Sequence, residues 1–490
     1  MTTDAEAHDE PTIFVLYGAT GDLAKRMVIP AFYTLALQGL MPEQWLLVGN
    51  GRGDVAHEDF RQHVHDVLTE FGTKPEGADW EQFSKRLLFA GGGFDSDDPG
   101  SLLDVLEQAK ATLMDDRSAD GDGESDRDGE SNVRLIHYFA VPPTAFIDLT
   151  KAIGKHQLTD GSRVIYEKPF GESAAGFREL DKVVHTVLDE SQVFRIDHFV
   201  GKEAVQQLHA LRFANGMFSG IWNREHVRAV QIDVPEDLDI ADRAAFYDAT
   251  GALRDMIVTH LFQVAAEIAM EPPVDLSAEG LQDARETVIA AFRPLDPAET
   301  VFGQFEGYLD VEGIDADSTT DTFVAARMWV DTDRWRDVPF LLRTGKQLAK
   351  SAERVSMLLR VPQDGPYVEE SNDNVLSFTL SGSGAIILTV GLKKPGVGLE
   401  FGDATVKLKL DDVEGVEGAE PLAPYVRLIH DVIVGDRSLF TRSDGLASAW
   451  AAVAKVMEHP PTIETYPIGS WGPPSADVLA EPDGWLVSRK

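Results

Sequence analysis

The chain has 490 residues, 43% of them hydrophobic and 26% charged, with a formal net charge of −38 and no cysteine. That length and balance describe a soluble globular protein of about two or three domains, and the missing cysteine excludes disulfides, thiolate metal sites and a cysteine nucleophile. The acidity disfavours nucleic acid and anionic membrane as partners, because the mean field repels both.

The first residues, MTTDAEAHDEPT, are acidic and polar, unlike a signal peptide, and residues 1–11 read as a mobile tail. No apolar run approaches the roughly 20 residues of a membrane span. A cytoplasmic location is the expectation that fits this and the absence of cysteine. Ile13–Tyr17 is a short apolar run ending in Gly18, as expected of a buried parallel strand. Ala24–Leu40 has helical spacing, with Leu23, Met27, Ala31, Leu35 and Leu37 near one side, and Leu46–Gly49 is the next strand. This strand–turn–helix–strand unit opens a doubly wound α/β fold. Phe60–Phe71 and Ser101–Met114 read as helices. Asp115–Asn132 is a low-complexity acidic run that cannot bury enough apolar surface to offset its ordering entropy, so a flexible surface insertion is predicted at 115–132. Arg134–Val141 and Arg163–Glu167 resume strands, ending at Pro142–Pro143 and at Lys168–Pro169.

After about His198 the pattern changes. Val227–Val234, Thr322–Val330, Val338–Arg343, Val355–Val361, Val375–Leu380, Ala385–Leu392 and Ala404–Leu410 look like strands. Many follow one another without helices, which predicts a largely antiparallel sheet. A long helix, Gly251–Met270, packs against it, and a helix pair, Pro424–Val434 and Gly445–Met457, closes the domain. The fold class is therefore α/β. A Rossmann-type doubly wound parallel sheet occupies 12–197, and an α+β domain with a large, mainly antiparallel sheet occupies 198–490.

Between the first strand and helix stands Gly18-Ala19-Thr20-Gly21-Asp22-Leu23. The glycines allow a tight turn and bring a pyrophosphate close to the helix N-terminus, where free N–H groups and the helix dipole favour an anion. Nucleotide selection falls at the end of the next strand. An NAD enzyme usually carries an acid there. This chain has Asn50-Gly51-Arg52. Arg52 favours the extra 2′-phosphate of NADP through charge-assisted hydrogen bonds, although Asp54 stands nearby and a solvated arginine in a glycine loop is the plainer alternative.

Four segments carry chemistry: GATGDLAKR at Gly18–Arg26, EKPFG at Glu167–Gly171, RIDHFVGKE at Arg195–Glu203 and GALRDMIVTH at Gly251–His260. Asp197, His198 and Lys202 suit a phosphorylated substrate, because Lys and His can meet phosphate oxygens while an Asp can orient a second, catalytic His. His260 read alone is a core histidine among Met256, Ile257, Leu261 and Val264. In this order the segments resemble the glucose-6-phosphate dehydrogenase family, from about Ile13 to Gly469–Pro473.

The resemblance implies specific roles. His260 is the general base and Asp197 its orienting partner; a carboxylate accepting from one ring nitrogen leaves the other able to take a proton. Lys168 binds the sugar near its reacting end and also touches the cofactor, and its bond to Pro169 is cis. His198 and Lys202 hold the phosphate, while Glu236, Asp255 and Lys346 hold the sugar. Gly18, Ala19, Thr20, Gly21, Asp22, Leu23 and Arg52 hold NADP. No metal is needed, because the oxidant is the cofactor. The implied reaction is oxidation of glucose 6-phosphate at C1 to 6-phospho-1,5-lactone, with a homodimer or homotetramer as the assembly.

The chain also departs from the family pattern. Met27 stands where a Lys is usual, Phe199 replaces a Tyr, Thr259 an Asn and Ser351 a Lys, with Lys350 adjacent. Leu380 removes a sugar-site Gln. These losses leave two alternatives open: a dehydrogenase of another sugar or sugar phosphate, and a catalytically weak sugar-phosphate-binding paralogue.

Overall fold

The computed structural model describes residues 10–119, 133–240, 243–362, 364, 374–382, 384–409, 412, 413, 415 and 421–489. Most of the predicted tail and most of the predicted acidic insertion lie outside them. The described chain forms two units, one comprising residues up to Gly201 together with Ala423–Ser443, the other Lys202–Leu422 together with Asp444–Lys490. No helix among the described residues is long and apolar enough to cross a membrane.

The first unit is built on a sheet of β1 (Thr12–Tyr17), β2 (Trp45–Asn50), β3 (Leu87–Ala90), β4 (Arg134–Phe139), β5 (Arg163–Tyr166) and β6 (Val193–Arg195). Its strand order is β3-β2-β1-β4-β5-β6, and every pairing is parallel. All residues of β1 are buried, as an apolar strand covered on both faces must be. The order reverses between β1 and β4, and ligands of doubly wound sheets bind at such a switch point. The helix predicted to stop at Met114 runs over Leu102–Ala119, into the acidic run. No Gly or Pro intervenes before Gly121, so nothing local stops it.

The helix Pro424–Val434 groups with this first unit, not with the late helix expected to be its partner. Its buried face presents Tyr425, Val426, Leu428, Ile429, Val432 and Ile433, and it ends on Gly435 at φ 79°, the usual left-handed cap. Arg163, at the start of β5, donates to the carbonyl oxygens of Val432 at 2.5 Å and Ile433 at 2.6 Å. A guanidinium at a helix C-terminus satisfies unpaired carbonyls and opposes the dipole. Burial lowers its pKa to about 10.

The second unit holds a sheet ordered β14-β13-β12-β11-β7-β10-β9-β8-β15. These strands are β7 (Val227–Pro235), β8 (Thr300–Phe305), β9 (Phe323–Met328), β10 (Phe340–Gly345), β11 (Arg354–Leu359), β12 (Val375–Thr379), β13 (Ala385–Lys393), β14 (Phe401–Lys409) and β15 (Ile463–Tyr466). Pairings are antiparallel except β7 with β10 and β8 with β15. The predicted strands are present with shifted ends; β8 and β15 were not anticipated. The expected helix Gly251–Met270 is present from Leu253 to Ala269, but its first half is wound as a π-helix. Ala244–Ala252 ends in a kink at Gly251 (φ 70°, ψ 167°), followed by a π-helical segment Leu253–Leu261 and an α-helix Phe262–Ala269 whose residues are all buried. On β10, buried Arg343 pairs with Asp233 of β7 at 2.8 and 2.5 Å and lies 4.4 Å from the Trp485 ring centroid. That stack ties the C-terminal segment to the sheet.

Candidate active site

The end of β1 shows why glycine stands at position 18. Gly18 has φ 74°, and a Cβ there would lie 2.4 Å from the Ala140 carbonyl oxygen and 2.9 Å from Val141 Cγ1. The turn after β1 therefore passes directly over the end of β4. Gly18 and Ala19 donate their N–H groups to Asn50 O at 3.0 and 3.2 Å, and Gly21 N–H bonds back to Gly18 O at 2.8 Å. Asn50 in turn donates its amide to Ala90 O and Gly93 O, each at 3.1 Å. The ends of β1, β2 and β3 are thus fastened together around a turn whose Thr20 and Asp22 are exposed, Gly18, Gly21 and Leu23 half-buried and Ala19 buried. The helical stretch that follows begins with N–H groups that have no carbonyl partner one turn back, and its dipole favours an anion there. Arg52 is exposed just beyond β2, with Asp54 close by in sequence and also exposed. A left-handed glycine at the switch point, an open helix N-terminus and a guanidinium where an acid would select NAD fit an NADP-type dinucleotide. Met27, in the helical stretch that follows, is 40% exposed.

On β5 the sequence leads into Glu167, Lys168 and the cis bond to Pro169. Lys168 is half-buried. Glu167 is buried and accepts the Tyr138 hydroxyl at 2.6 Å and, more loosely, the Tyr425 hydroxyl at 3.5 Å, a setting its motif does not disclose. Burial pushes its pKa up to about 7, opposed by the two phenols and by Lys168. After β6 the chain bends. Asp197 is 1% exposed, and its Oδ1 accepts the Phe199 N–H at 2.8 Å. His198 is half-buried with its ring 5.1 Å from that of Phe199.

In the second unit, strand register does the positioning. The parallel pair β7–β10 sets Pro235 opposite Gly345, so Glu236 and Lys346 emerge side by side. Glu236 N–H bonds Gly345 O at 2.9 Å, and the two side chains form an ion pair. Lys202, just before the helix Glu203–Ala214, pairs with Glu353 at 2.6 Å. That partner, 151 positions away in the chain, was not legible from the motif.

Asp255 and His260 share the π-helical segment. Residues five apart on an α-helix diverge by about 140° around the axis; i→i+5 bonding widens each turn and brings them to neighbouring sides. The Thr259 hydroxyl follows the same spacing, donating to Arg254 O at 2.9 Å. Asp255 is half-buried and His260 is 0% exposed. The segment's first turn is fastened by Asp321, whose carboxylate accepts Leu253 N–H at 2.6 Å and whose carbonyl accepts Ala252 N–H at 2.8 Å. Ser351 is engaged with Asp237, whose N–H it accepts at 2.9 Å. Leu380 is wholly buried with an apolar side chain, and its N–H donates to Glu353 O at 2.8 Å.

The first unit is shaped for a dinucleotide, and the second carries an imidazole and a carboxylate on one helical segment with a carboxylate–lysine pair at adjoining strand ends: the make-up of a nicotinamide-dependent dehydrogenase acting on an anionic, hydroxylated substrate. Two family models cover nearly all of the chain, "Glucose-6-phosphate dehydrogenase, NAD binding domain" over residues 15–207 and "Glucose-6-phosphate dehydrogenase, C-terminal domain" over 209–486. Glucose-6-phosphate 1-dehydrogenase 2 of Mycobacterium bovis is 36% identical, covering 95% of this chain and 92% of that protein. The crystal structure of glucose-6-phosphate 1-dehydrogenase from Mycobacterium avium is similar with a TM-score of 0.82 at 32% identity, covering 97% of this chain and 99% of that one. A glucose-6-phosphate dehydrogenase in complex with its substrate glucose 6-phosphate gives a TM-score of 0.87 at 28% identity, covering 98% and 99%. The chain belongs to the glucose-6-phosphate dehydrogenase family of oxidoreductases.

Proposed function

We propose that this protein oxidises D-glucose 6-phosphate to 6-phospho-D-glucono-1,5-lactone with NADP, the first step of the oxidative pentose phosphate pathway. The observation that carries it is the match of both family models onto the chain, with Glu236, Lys346, Asp255 and His260 presented within one unit. When bound, NADP supplies the acceptor for hydride from C1.

The chain's own groups do the rest. His260 takes the proton of the C1 hydroxyl on one ring nitrogen, and Asp197 accepts from the other and stabilises the imidazolium. The C1 hydroxyl oxygen thereby loses its proton and C1 its hydride, and C1 becomes the lactone carbonyl carbon. Glu236 and Asp255 accept hydrogen bonds from sugar hydroxyls, while Lys346 donates to them. His198 and Lys202 hold the phosphate, and Lys168 steadies the reacting end and the cofactor. Gly18–Leu23 cradles the pyrophosphate and Arg52 the 2′-phosphate.

The protein works in the cytoplasm as a homodimer or homotetramer. Supporting self-association, Leu392, Val406 and Leu408 on β13 and β14 are each about half exposed at one end of the large sheet, an apolar edge that favours pairing.

Initial rates with glucose 6-phosphate, glucose, galactose 6-phosphate and mannose 6-phosphate, each with NADP and NAD, test the assignment. Turnover of glucose 6-phosphate with NADP supports it, and preference for another sugar removes it. Arg52→Ala should raise the NADP KM far more than the NAD KM; equal effects would refute the 2′-phosphate role. Light scattering after size exclusion reads the assembly.

A further inference from the structure

Tyr247 belongs to no motif in the sequence, yet it sits within the sugar-binding group of the second unit. It lies on the helix Ala244–Ala252, ahead of the Gly251 kink. Its side chain is 4% exposed, and its hydroxyl has no hydrogen-bond partner among the described residues. Buried hydroxyls are rarely left so, because desolvation without a partner is costly. The surroundings are polar. The Lys346 ammonium stands 5.6 Å from the Tyr247 ring centroid, and the same ammonium is paired to Glu236. Burial first, then the charges of Asp255, Asp321, Tyr466 and Glu236, raises the phenol's pKa well above its ordinary value. The phenol therefore stays protonated and able to donate.

A sugar hydroxyl brings one proton and two lone pairs. Glu236 and Asp255, as carboxylates, can only accept. They satisfy the proton of a sugar hydroxyl and leave its lone pairs wanting donors. Lys346 is one donor, already shared with Glu236. We propose that the Tyr247 hydroxyl is a further donor, a substrate-orienting group that hydrogen-bonds a ring hydroxyl of the sugar held by Glu236 and Asp255. The assignment rests on the sugar-phosphate reading above. It gives that sugar hydroxyl both an acceptor and a donor, which is how a site rejects a sugar that lacks or inverts it.

The test is Tyr247→Phe, assayed at saturating NADP with glucose 6-phosphate and its 2-, 3- and 4-deoxy analogues, alongside thermal unfolding. Because the hydroxyl has no partner among the described residues, its removal should leave Tm unchanged or slightly raised. KM for glucose 6-phosphate should rise about five- to tenfold, the weight of one hydrogen bond, with kcat changed less. For one deoxy analogue the variant and wild type should have the same KM, because the hydroxyl that Tyr247 meets is already gone. An unchanged KM for glucose 6-phosphate, equal penalties across all analogues, or a fall in Tm would each overturn the role while wild-type turnover leaves the enzyme assignment standing. A wild type inactive on glucose 6-phosphate would sink both.

Discussion

His260 is wholly buried, and a buried imidazole has two possible uses: a fixed core polar group, or a base reserved for a substrate. His260→Asn keeps the size and one donor but loses the proton acceptor. Turnover should fall by about 10²- to 10⁴-fold, the usual worth of a general base, while calorimetry shows glucose 6-phosphate still binding. Loss of binding instead would make His260 structural. Glu167 gives a prediction in pH. Its carboxyl is raised from 4.5 to about 7 in the folded protein, so the folded state binds more protons than the unfolded one between those values. Its contribution to stability is present below about 4.5 and is lost as pH rises through about 7. Glu167→Gln keeps an acceptor for the Tyr138 hydroxyl and removes the ionisation. Compared with wild type, the variant should gain up to about 3 kcal/mol on moving from pH 5 to pH 8. Denaturant unfolding at the two pH values measures this, and parallel behaviour of both proteins would contradict it.

At the scale of elements, the kink at Gly251 decides where the segment carrying Asp255 and His260 begins. Its φ of 70° is left-handed, and a Cβ there would lie 2.7 Å from Asp321 Oδ1. Gly251→Ala should cost about 2 kcal/mol or more, from the backbone conformation and the displaced carboxylate together, read by denaturant unfolding. An unchanged midpoint would mean the kink relaxes freely. Much of this architecture is legible in the sequence, because β-branched and aromatic runs announce strands whatever they pair with. The missed strands carry weak signals: β3 (LLFA) and β15 (IETY) are four residues long, β6 (VFR) is three, and β8 (TVFGQF) contains a glycine. The π-helical segment was hidden because its apolar residues suit an ordinary helix equally well. The allegiance of Pro424–Val434 was misread because periodicity shows that a helix has an apolar face, but not which unit covers it. Site residues inside motifs were legible through resemblance. Glu353, Asp321 and Tyr247, which only folding brings to Lys202, Leu253 and Lys346, were not.

At the scale of the whole molecule, a net charge of −38 loads the folded state with self-repulsion. Surface ion pairs such as Arg26–Asp22 and Lys155–Asp97 are each worth little and cannot offset a surplus of that size. Raising NaCl from about 0.05 M to about 0.5 M shortens the screening length several-fold and should raise Tm by several degrees. A Tm that falls with salt would place specific ion pairs above general repulsion.

The return of residues 423–443 to the first unit also constrains how the protein is made. A ribosome releases the six strands of the parallel sheet early, but the helix whose carbonyls Arg163 caps, and whose Tyr425 reaches Glu167, is synthesised more than two hundred residues later. The nascent nucleotide-binding half must therefore wait, exposing the surface that helix will cover, until almost the entire polypeptide has been translated. A gene fragment cut after Gly201 would encode a half that never receives its closing piece.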